Sequence, residues 1–327
     1  ALRVMHNEDG SPFEGDPRIA LSNVLDRYAR HGWQVIAACE LEFFLLEDGG
    51  NLVPPVNPKT GRRLTGTEIL SLRELDGFDL FFNDITNGAK LMGLGDLTIT
   101  TEAGVGQFEV TMTHGPALHI ADHVILLKEL IKGTARNHGM AATFMAKPFS
   151  QESGSGLHTH FSVINQAGEN IFCNQTKLQS AVAGCLEAFE ASTLLFAPYN
   201  NSFERFVAGA HAPTAATWGY ENRTVAIRIP SGPEAARRIE HRVAGGDANP
   251  YLLFAAIFGA ALEGIERKAV PPAPIEGNAY EHPAHLPGLL PDLSAAIEGL
   301  EAPLLKQFMS PLILENLAAT KSQERDL

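Results

Sequence analysis

Cysteine is scarce in this sequence, with three residues among 327. Cys39, Cys173 and Cys185 are odd in number and widely spaced, so they predict neither a disulfide framework nor a zinc site. Apolar runs of membrane-spanning length are also missing. The segment 1–16 lacks the charged and apolar regions of a signal peptide. These absences favour a protein of the reducing cytoplasm without a membrane partner.

Positive charge is the second shortage. The chain carries 25 Lys and Arg against 38 Asp and Glu, a formal net charge of −13. This excess argues against a nucleic-acid partner, because nonspecific binding to phosphates needs basic patches. It suits a site that collects cations, although many enzymes are acidic for solubility alone. Hydrophobic residues make up 45% and charged residues 19%, the balance of an ordinary globular protein.

Periodicity and punctuation predict the secondary structure. Asp16 is the expected cap of a helix that begins at Pro17 and stops at Gly32, followed by an apolar strand over 33–46. Further strands are expected at 107–112, 141–145, 157–163, 224–230 and 238–243, and further helices at 75–92, 117–138, 178–196, 249–265, 293–309 and 311–319. Some strands are joined by loops too short for a crossover helix. The pattern therefore favours an α+β fold with an antiparallel sheet.

Glu40 and Glu42 form the first candidate motif. Residues two apart on a strand point to one face, so both carboxylates project together. A charged solvent face on an edge strand is the alternative. Two carboxylates this close repel each other, and a bound divalent cation commonly neutralises that repulsion.

Glu102 and Glu109 form the second motif. Glu109 lies in an alternating strand, and Glu102 precedes a turn that contains glycine. Taken alone, such residues are more often on the surface.

The third motif is the segment 154–162, Gly-Ser-Gly-Leu-His-Thr-His-Phe-Ser. His158, His160 and Ser162 share one strand face, and the glycines permit close backbone approach to a ligand. The segment is not a P-loop, because no Gly-Lys-Ser/Thr is present. A His-x-His pair is metal-binding in some proteins and structural in others.

The fourth motif is a series of arginines, whose guanidinium groups suit carboxylates and phosphates. Its members are Arg205, Arg223, Arg228, Arg238 and Arg242. Surface ion pairing is the alternative. Arg228, however, stands in an apolar run, and a buried arginine there requires an anionic partner.

A different pair, His119 and His123, is one helical turn apart, but we interpret it as core or surface histidines.

Taken together, the motifs resemble the glutamine synthetase family, in order and over nearly the whole chain. The matching segments are Glu-Leu-Glu-Phe-Phe at 40–44, Gly-Gln-Phe-Glu at 106–109, Gly-Ser-Gly-Leu-His-Thr-His at 154–160, Asn-Ser-Phe-Glu-Arg at 201–205, Asn-Arg at 222–223 with Ala-Ile-Arg-Ile-Pro at 226–230, Arg-Ile-Glu-His-Arg at 238–242 and Ala-Asn-Pro-Tyr-Leu at 248–252. The segment from Ile239 to Pro250 is most similar to the γ-glutamylpolyamine synthetase branch.

The resemblance implies a role for each matching residue. Glu42, Glu102 and Glu109 would hold one metal, and Glu40, His158 and Glu240 would hold the other. ATP would contact His160, Ser162, Arg228 and Arg238. Glutamate would bind Gly154, Arg205 and Arg242, with Arg205 on its α-carboxylate. Arg223 would stabilise the transferring phosphoryl group, and Arg242 would also serve in catalysis.

The implied fold and chemistry are those of the family. The whole of 1–327 would be one catalytic domain, a curved antiparallel sheet flanked by helices, with 1–32 leading into it and 271–327 forming its C-terminal helical part. ATP would phosphorylate the γ-carboxylate of glutamate, and an amine would then displace phosphate. Oxygen ligands with one imidazole suit Mg²⁺ or Mn²⁺ better than zinc. A homo-oligomer of stacked rings is implied as well.

Three departures from the family pattern qualify these expectations. The family's N-terminal β-grasp domain, which completes the neighbouring subunit's site, is absent from this chain, and the end beyond Leu327 is also expected to be shortened. This fragment alone is therefore expected to be inactive. An ammonia-handling glutamate falls on His211, and a usual ATP-site lysine falls on Ala235.

His211 favours an organic amine such as putrescine over ammonia. With a pKa of about 6.5 a histidine is mostly neutral and attracts ammonium less than a carboxylate does, yet it can accept a proton. A neutral substitution at this position is the alternative. A true glutamine synthetase, a γ-glutamylmethylamide-type ligase and a non-catalytic glutamate- or nucleotide-binding homologue remain open.

Overall fold

The computed structural model describes residues 2–50, 52–66, 68–207, 209, 212–281 and 289–326. Within these residues the chain forms one large sheet with helices packed mainly on one face. The strands are β1 Trp33–Glu47, β2 Leu97–Thr101, β3 Gln107–Met112, β4 Gly115–Pro116, β5 Met140–Thr143, β6 Leu157–Asn165, β7 Trp218–Tyr220, β8 Ile227–Ile229 and β9 Ile239–His241. The helices are α1 Pro17–Arg30, α2 Leu72–Gly77, α3 Asp79–Met92, α4 Ala117–Asn137, α5 Gln175–Glu187, α6 Thr193–Phe196, α7 Asn200–Phe203, α8 Pro250–Arg267, α9 Leu293–Gly299 and α10 Pro311–Arg325.

The sheet runs in the order β2-β3-β1-β6-β9-β8-β7, and β4 and β5 also pair with β1. The predicted antiparallel sheet is confirmed with one difference, since β7 and β8 are parallel. β1 is the organising strand because its 15 residues pair along their length with β3, β4, β5 and β6. The longest strand therefore fixes the register of the central sheet.

The core lies between the sheet and the helices α1, α4, α5 and α8. Alternate residues of β1, including Val35, Ala37 and Cys39, are buried in it. The face that carries Glu40 is the opposite one, as expected for a strand period of two. The central element of the helical layer is α8, which is buried along nearly its whole length and packs on α5.

α5 and α8 cross with their backbones in contact at two glycines. A Cβ atom on Gly184 would lie 2.0 Å from the carbonyl oxygen of Ala260, and one on Gly264 would lie 2.1 Å from that of Ser180. No side chain fits at either position without separating the helices.

The predicted boundaries are close for α1, where the Asp16 side chain accepts a hydrogen bond from the backbone N–H of Arg18. Three predicted helices are each divided in the structure. The helix expected at 75–92 is interrupted at Phe78, and that expected at 178–196 ends at Glu187 before a turn and the short α6. The helix expected at 293–309 ends at Gly299 and is followed by a single 3₁₀ turn at Leu305–Gln307. No helix in the described part of the chain combines the length and the apolar character needed to cross a bilayer.

Candidate active site

Cross-strand register assembles the candidate site on the open face of the sheet. In β1, Glu40 lies opposite His158 of β6 and Glu42 lies opposite Glu109 of β3. In β6, His160 lies opposite Glu240 of β9. Residues directly opposite on one face have neighbouring Cβ atoms. Motifs far apart in the sequence thus form one continuous row of side chains.

Glu40 occupies the middle of this row, between two histidines. Its Oε2 lies 3.0 Å from Nδ1 of His158, and its Oε1 lies 2.9 Å from Nε2 of His160. Burial alone would raise the pKa of Glu40, but the hydrogen bonds and charges of the two imidazoles overcome this and hold the pKa well below its usual range. Glu40 is therefore a carboxylate that the protein itself stabilises as an anion.

Glu240 is fully buried and is also paired. Arg228 and Arg242 each donate a hydrogen bond to one of its oxygens. Burial opposes ionisation, yet Arg242, the two histidines and Arg228 together lower the pKa of Glu240. The anionic partner that the apolar surroundings of Arg228 required is therefore Glu240, directly opposite it across β8 and β9.

Glu42 is held by backbone and amide groups. Its Oε2 accepts a hydrogen bond of 2.7 Å from the N–H of Gly156 and one of 3.3 Å from Nε2 of Gln107. A Cβ on Gly156 would lie 2.8 Å from a guanidinium nitrogen of Arg205, and one on Gly154 would lie 2.6 Å from the carbonyl oxygen of Ala146. Close packing against the backbone therefore requires glycine at 154, whereas a side chain at 156 would displace the Arg205 guanidinium.

Glu102 and Glu109 differ from the other carboxylates because few donors reach them. Burial, followed by the charge of Glu42, raises the pKa of Glu102 to about 7. Burial, followed by the charges of Glu40, Glu42 and Glu102, raises the pKa of Glu109 to about 8. This cluster is an unneutralised concentration of carboxylates.

Two sets of potential metal ligands lie with their donor atoms within 4.8 Å of one another in the described residues. One is Glu40, Glu109 and His158, and the other is Glu40, His160 and Glu240. The grouping expected from the resemblance assigned Glu40 and Glu109 to different metals and His160 to ATP. Glu40 instead belongs to both sets, because it sits between the two histidines. Most of the potential ligand atoms are carboxylate oxygens, which suit Mg²⁺ or Mn²⁺. A bound cation would also relieve the repulsion between the carboxylates.

A polar cleft opens over this row. Its walls include Glu40, Glu42, Glu102, Glu109, Gly154, His158, Arg205, Arg223 and Arg242. Arg205 is 3% exposed and donates a hydrogen bond of 2.5 Å to the carbonyl oxygen of Val243, whereas Arg223 is exposed. The cleft thus presents guanidinium groups opposite carboxylates, an arrangement suited to an anionic ligand with bound cations.

A mainly apolar cavity of about 670 Å³ adjoins the polar cleft, and Glu40 lines both. Three of the four residues expected to contact ATP, His160, Ser162 and Arg238, line this apolar cavity. The fourth, Arg228, is buried against Glu240 instead. Ala235 also lines the cavity, at the position where the family pattern has lysine.

Two further predictions concern histidines. His211 lies outside the described residues. His119 and His123 belong to neither ligand set in the described part of the chain. His119 is exposed, and its neighbourhood on α4 is not part of the polar cleft.

Sequence reasoning missed the structural roles of Gln107 and Asp247. Gln107 is buried; it donates to Glu42 and to the carbonyl oxygen of Gly154 while accepting from the N–H of Gly104. Its place in the Gly-Gln-Phe-Glu motif was a usable signal. Asp247 accepts a hydrogen bond of 2.6 Å from Oγ of Ser202, a contact that only the folded chain reveals.

Residues 14–327 match the model of the glutamine synthetase catalytic domain. The chain belongs to the glutamine synthetase family. The resemblance stated from the motifs is thereby confirmed, and so is the catalytic-domain fold.

Several relatives of the family are similar over most of the chain. A gamma-glutamylputrescine synthetase of Escherichia coli K12 is 37% identical, covering 99% of this chain and 70% of that protein. A glutamine synthetase of Pyrococcus horikoshii is 35% identical, covering 84% and 61%. A glutamate–isopropylamine ligase of a Pseudomonas species is 31% identical, covering 94% and 68%. The chain thus spans 61% to 70% of the length of these proteins.

A solved structure described as a GmaS–ADP complex superimposes with a TM-score of 0.88 at 31% identity, covering 99% of this chain and 76% of that one. The family resemblance therefore extends to the three-dimensional arrangement of the whole described sheet.

Proposed function

We propose that the protein is an ATP-dependent ligase that forms a γ-glutamyl amide from glutamate and an organic amine. One observation carries the proposal: a cleft lined by carboxylates, an imidazole and arginines adjoins an apolar cavity of nucleotide size, with Glu40 at their junction. Such an arrangement brings together a phosphate donor, divalent cations and an amino-acid substrate.

The cations would be held by Glu40, Glu42, Glu102, Glu109, His158 and Glu240. Mg²⁺ or Mn²⁺, when bound, supplies positive charge to phosphate oxygens. The base of the nucleotide would occupy the apolar cavity, with its phosphates directed toward Glu40. His160, Ser162 and Arg238 at the cavity wall would contact it. The likeness to a structure described as an ADP complex supports nucleotide binding in general.

Arg205, Gly154 and Arg242 would orient glutamate. A γ-carboxylate oxygen then attacks the γ-phosphorus of ATP, the bond to the β-phosphate oxygen breaks, and ADP and γ-glutamyl phosphate result. Arg223 would stabilise the negative charge that develops on the transferred group. The amine nitrogen next attacks the carbonyl carbon, the carbon–oxygen bond breaks, phosphate leaves, and the nitrogen loses a proton. In this proposal His211 accepts that proton.

An organic amine is proposed as the acceptor because two of the similar relatives are named for organic amines. Ammonia is the competing acceptor, as in the glutamine synthetase relatives. The discriminating experiment measures ATP-dependent phosphate release by the full-length protein with glutamate and each of putrescine, isopropylamine, methylamine and ammonium. We expect putrescine to give the highest kcat/KM. Equal efficiency with ammonium would reject the organic-amine assignment, and no release with any amine would favour a non-catalytic binding protein.

His211→Glu is the matched test of the acceptor. Because a carboxylate attracts ammonium more strongly than a neutral imidazole does, the variant is expected to shift the ratio of kcat/KM for ammonium over putrescine upward by about tenfold. An unchanged ratio would remove His211 from the argument.

The assembly is proposed to be a homo-oligomer of stacked rings, on family resemblance. Light scattering on the full-length protein tests it, and a monomeric mass would contradict it.

A further inference from the structure

Asp247 is a half-buried carboxylate outside the row of side chains on the sheet. It lies between β9 and α8, where its Oδ2 accepts a hydrogen bond of 2.6 Å from Oγ of Ser202. Its Oδ1 is buried and has no hydrogen-bond partner in the described part of the chain. An unpaired buried carboxylate oxygen costs folding free energy, so such a group calls for an explanation.

Two cations flank this carboxylate. Lys128 of α4 and Arg205 both lie near enough to act on Asp247 by their charges, and Nζ of Lys128 is 3.2 Å from the adjacent carbonyl oxygen of Ala248. Burial raises the pKa of Asp247, whereas its hydrogen bond with Ser202 and the charges of Lys128 and Arg205 favour its ionised form. The backbone at residue 245 also comes close to this carboxylate. A Cβ on Gly245 would lie 2.5 Å from Oδ1 of Asp247.

The hydrogen bond to Ser202 connects Asp247 to the helix that carries Arg205 into the polar cleft. Ser202 also accepts a hydrogen bond of 3.1 Å from the N–H of Tyr199 at the start of α7. Ser202 is 1% exposed, and Arg205 follows the end of α7 by two residues. The other side of α7 is fixed by Asn201, whose side chain bonds both backbone groups of Lys147.

We propose that Asp247 is a positioning residue that, through Ser202 and by its charge, holds Arg205 in place for the carboxylate of the amino-acid substrate. The inference rests on the proposed function for the identity of that substrate. It does not make Asp247 a catalytic residue, because Asp247 is not among the residues that line the polar cleft. The Gly-Gly-Asp sequence at 245–247 then acquires a role in substrate binding.

The test uses Asp247→Asn, which keeps a hydrogen-bond acceptor but removes the charge, and Ser202→Ala, which keeps the charge but removes the hydroxyl. We expect the KM for glutamate to rise about tenfold in Asp247→Asn and about threefold in Ser202→Ala. The KM for ATP and the KM for the amine should stay within about twofold of wild type. Amide hydrogen exchange of peptides covering 199–206 should accelerate in both variants, a readout that needs no turnover.

Asp122→Asn is the matched control. Asp122 likewise accepts from a hydroxyl, that of Tyr251 at 2.7 Å, and pairs with Arg18 at 2.8 Å, but it lies on α4 away from the polar cleft. This variant should leave both the KM for glutamate and exchange at 199–206 unchanged.

Unchanged exchange at 199–206 in both variants would overturn the proposal, as would faster exchange with an unchanged KM for glutamate. If Asp247→Asn does not fold, Ser202→Ala decides by the same two measurements. If the wild-type protein shows no turnover of glutamate with any amine, the proposed function fails, while hydrogen exchange and the thermal shift produced by glutamate still decide the role of Asp247.

Discussion

Four carboxylates of the candidate site form two pairs with opposite electrostatics. Glu40 and Glu240 have cationic or imidazole partners from the protein, and the pKa of each is lowered. Glu102 and Glu109 sit beside other carboxylates, and the pKa of each is raised. The protein itself stabilises the first pair as anions, whereas neither Glu102 nor Glu109 has an ion-pair partner among the described residues. The acidic residues of the candidate site thus include some that the protein stabilises as anions and some that a bound cation would stabilise.

The largest expected effect comes from breaking the paired group. Glu240→Gln leaves Arg228 and Arg242 buried without their common anion, and removing one partner of a buried ion pair costs about 3–5 kcal/mol. We expect a loss of this order in the free energy of unfolding, measured by urea denaturation. Glu187→Gln is the matched control, because Glu187 pairs with Arg267 at the exposed surface, where such pairs contribute about 0–1 kcal/mol. Equal losses in the two variants would contradict the comparison.

The second effect has the opposite sign. Replacing both Glu102 and Glu109 by Gln removes the mutual repulsion, so the metal-free protein should become more stable near pH 8 by on the order of 1–3 kcal/mol. The same variant should lose most of its affinity for Mn²⁺, measured by titration calorimetry. A double variant that is less stable than wild type without metal would show that these carboxylates are already neutralised.

The pH dependence of stability follows from the same two residues. Their pKa values are higher in the folded protein than in the unfolded chain, so between about pH 4.5 and pH 7–8 the unfolded state has lost protons that the folded state keeps. Their contribution to stability is therefore fully present below about pH 4.5 and is lost as pH rises through pH 7–8. The difference in melting temperature between wild type and the double variant should widen over this range without Mg²⁺ and narrow with it.

The smallest effect concerns one hydrogen bond. Oγ1 of Thr111 donates to Oε1 of Glu109 at 3.0 Å and lowers the pKa of Glu109. Thr111→Val removes this donor, so the pKa of Glu109 should rise further and Mn²⁺ affinity at pH 7 should fall about threefold. Thr113→Val is the control, since Thr113 bonds a backbone carbonyl instead. A pH 7 affinity equal to that of wild type would show that Thr111 does not tune the site.

Part of the candidate site could be predicted from the sequence alone. The motifs place Glu40 and Glu42 on one strand face, and they predict an anion beside Arg228. They do not reveal that Glu40 lies between two histidines, because that depends on the register between β1 and β6, 118 residues apart in sequence for the His158 contact. The contact between Asp247 and Ser202 is hidden because it joins a loop to a helix 45 residues away in the sequence. Which residues of one strand share a face follows from the strand period of two, whereas contacts between elements depend on the fold.

The errors in secondary structure have physical causes. The helix expected over 178–196 is broken after Glu187 although its apolar pattern continues. There the backbone tightens into three-residue turns, in which the N–H of Phe189 bonds to the carbonyl oxygen of Leu186 and the N–H of Thr193 bonds to that of Glu190. β7 escaped prediction because it has three residues, too few for a period to be seen. β7 is held in place by a hydrogen bond that the N–H of Ile275 donates to the carbonyl oxygen of Trp218.

Glu40 has a consequence for the order of events at the two neighbouring spaces. One carboxylate borders both the polar cleft and the apolar cavity, so any ligand that draws its oxygens toward one space changes what the other space offers. On the proposed function, we expect nucleotide binding and cation binding to be thermodynamically linked through Glu40. Such a link is reciprocal: whatever factor the nucleotide applies to cation affinity, the cation must apply to nucleotide affinity.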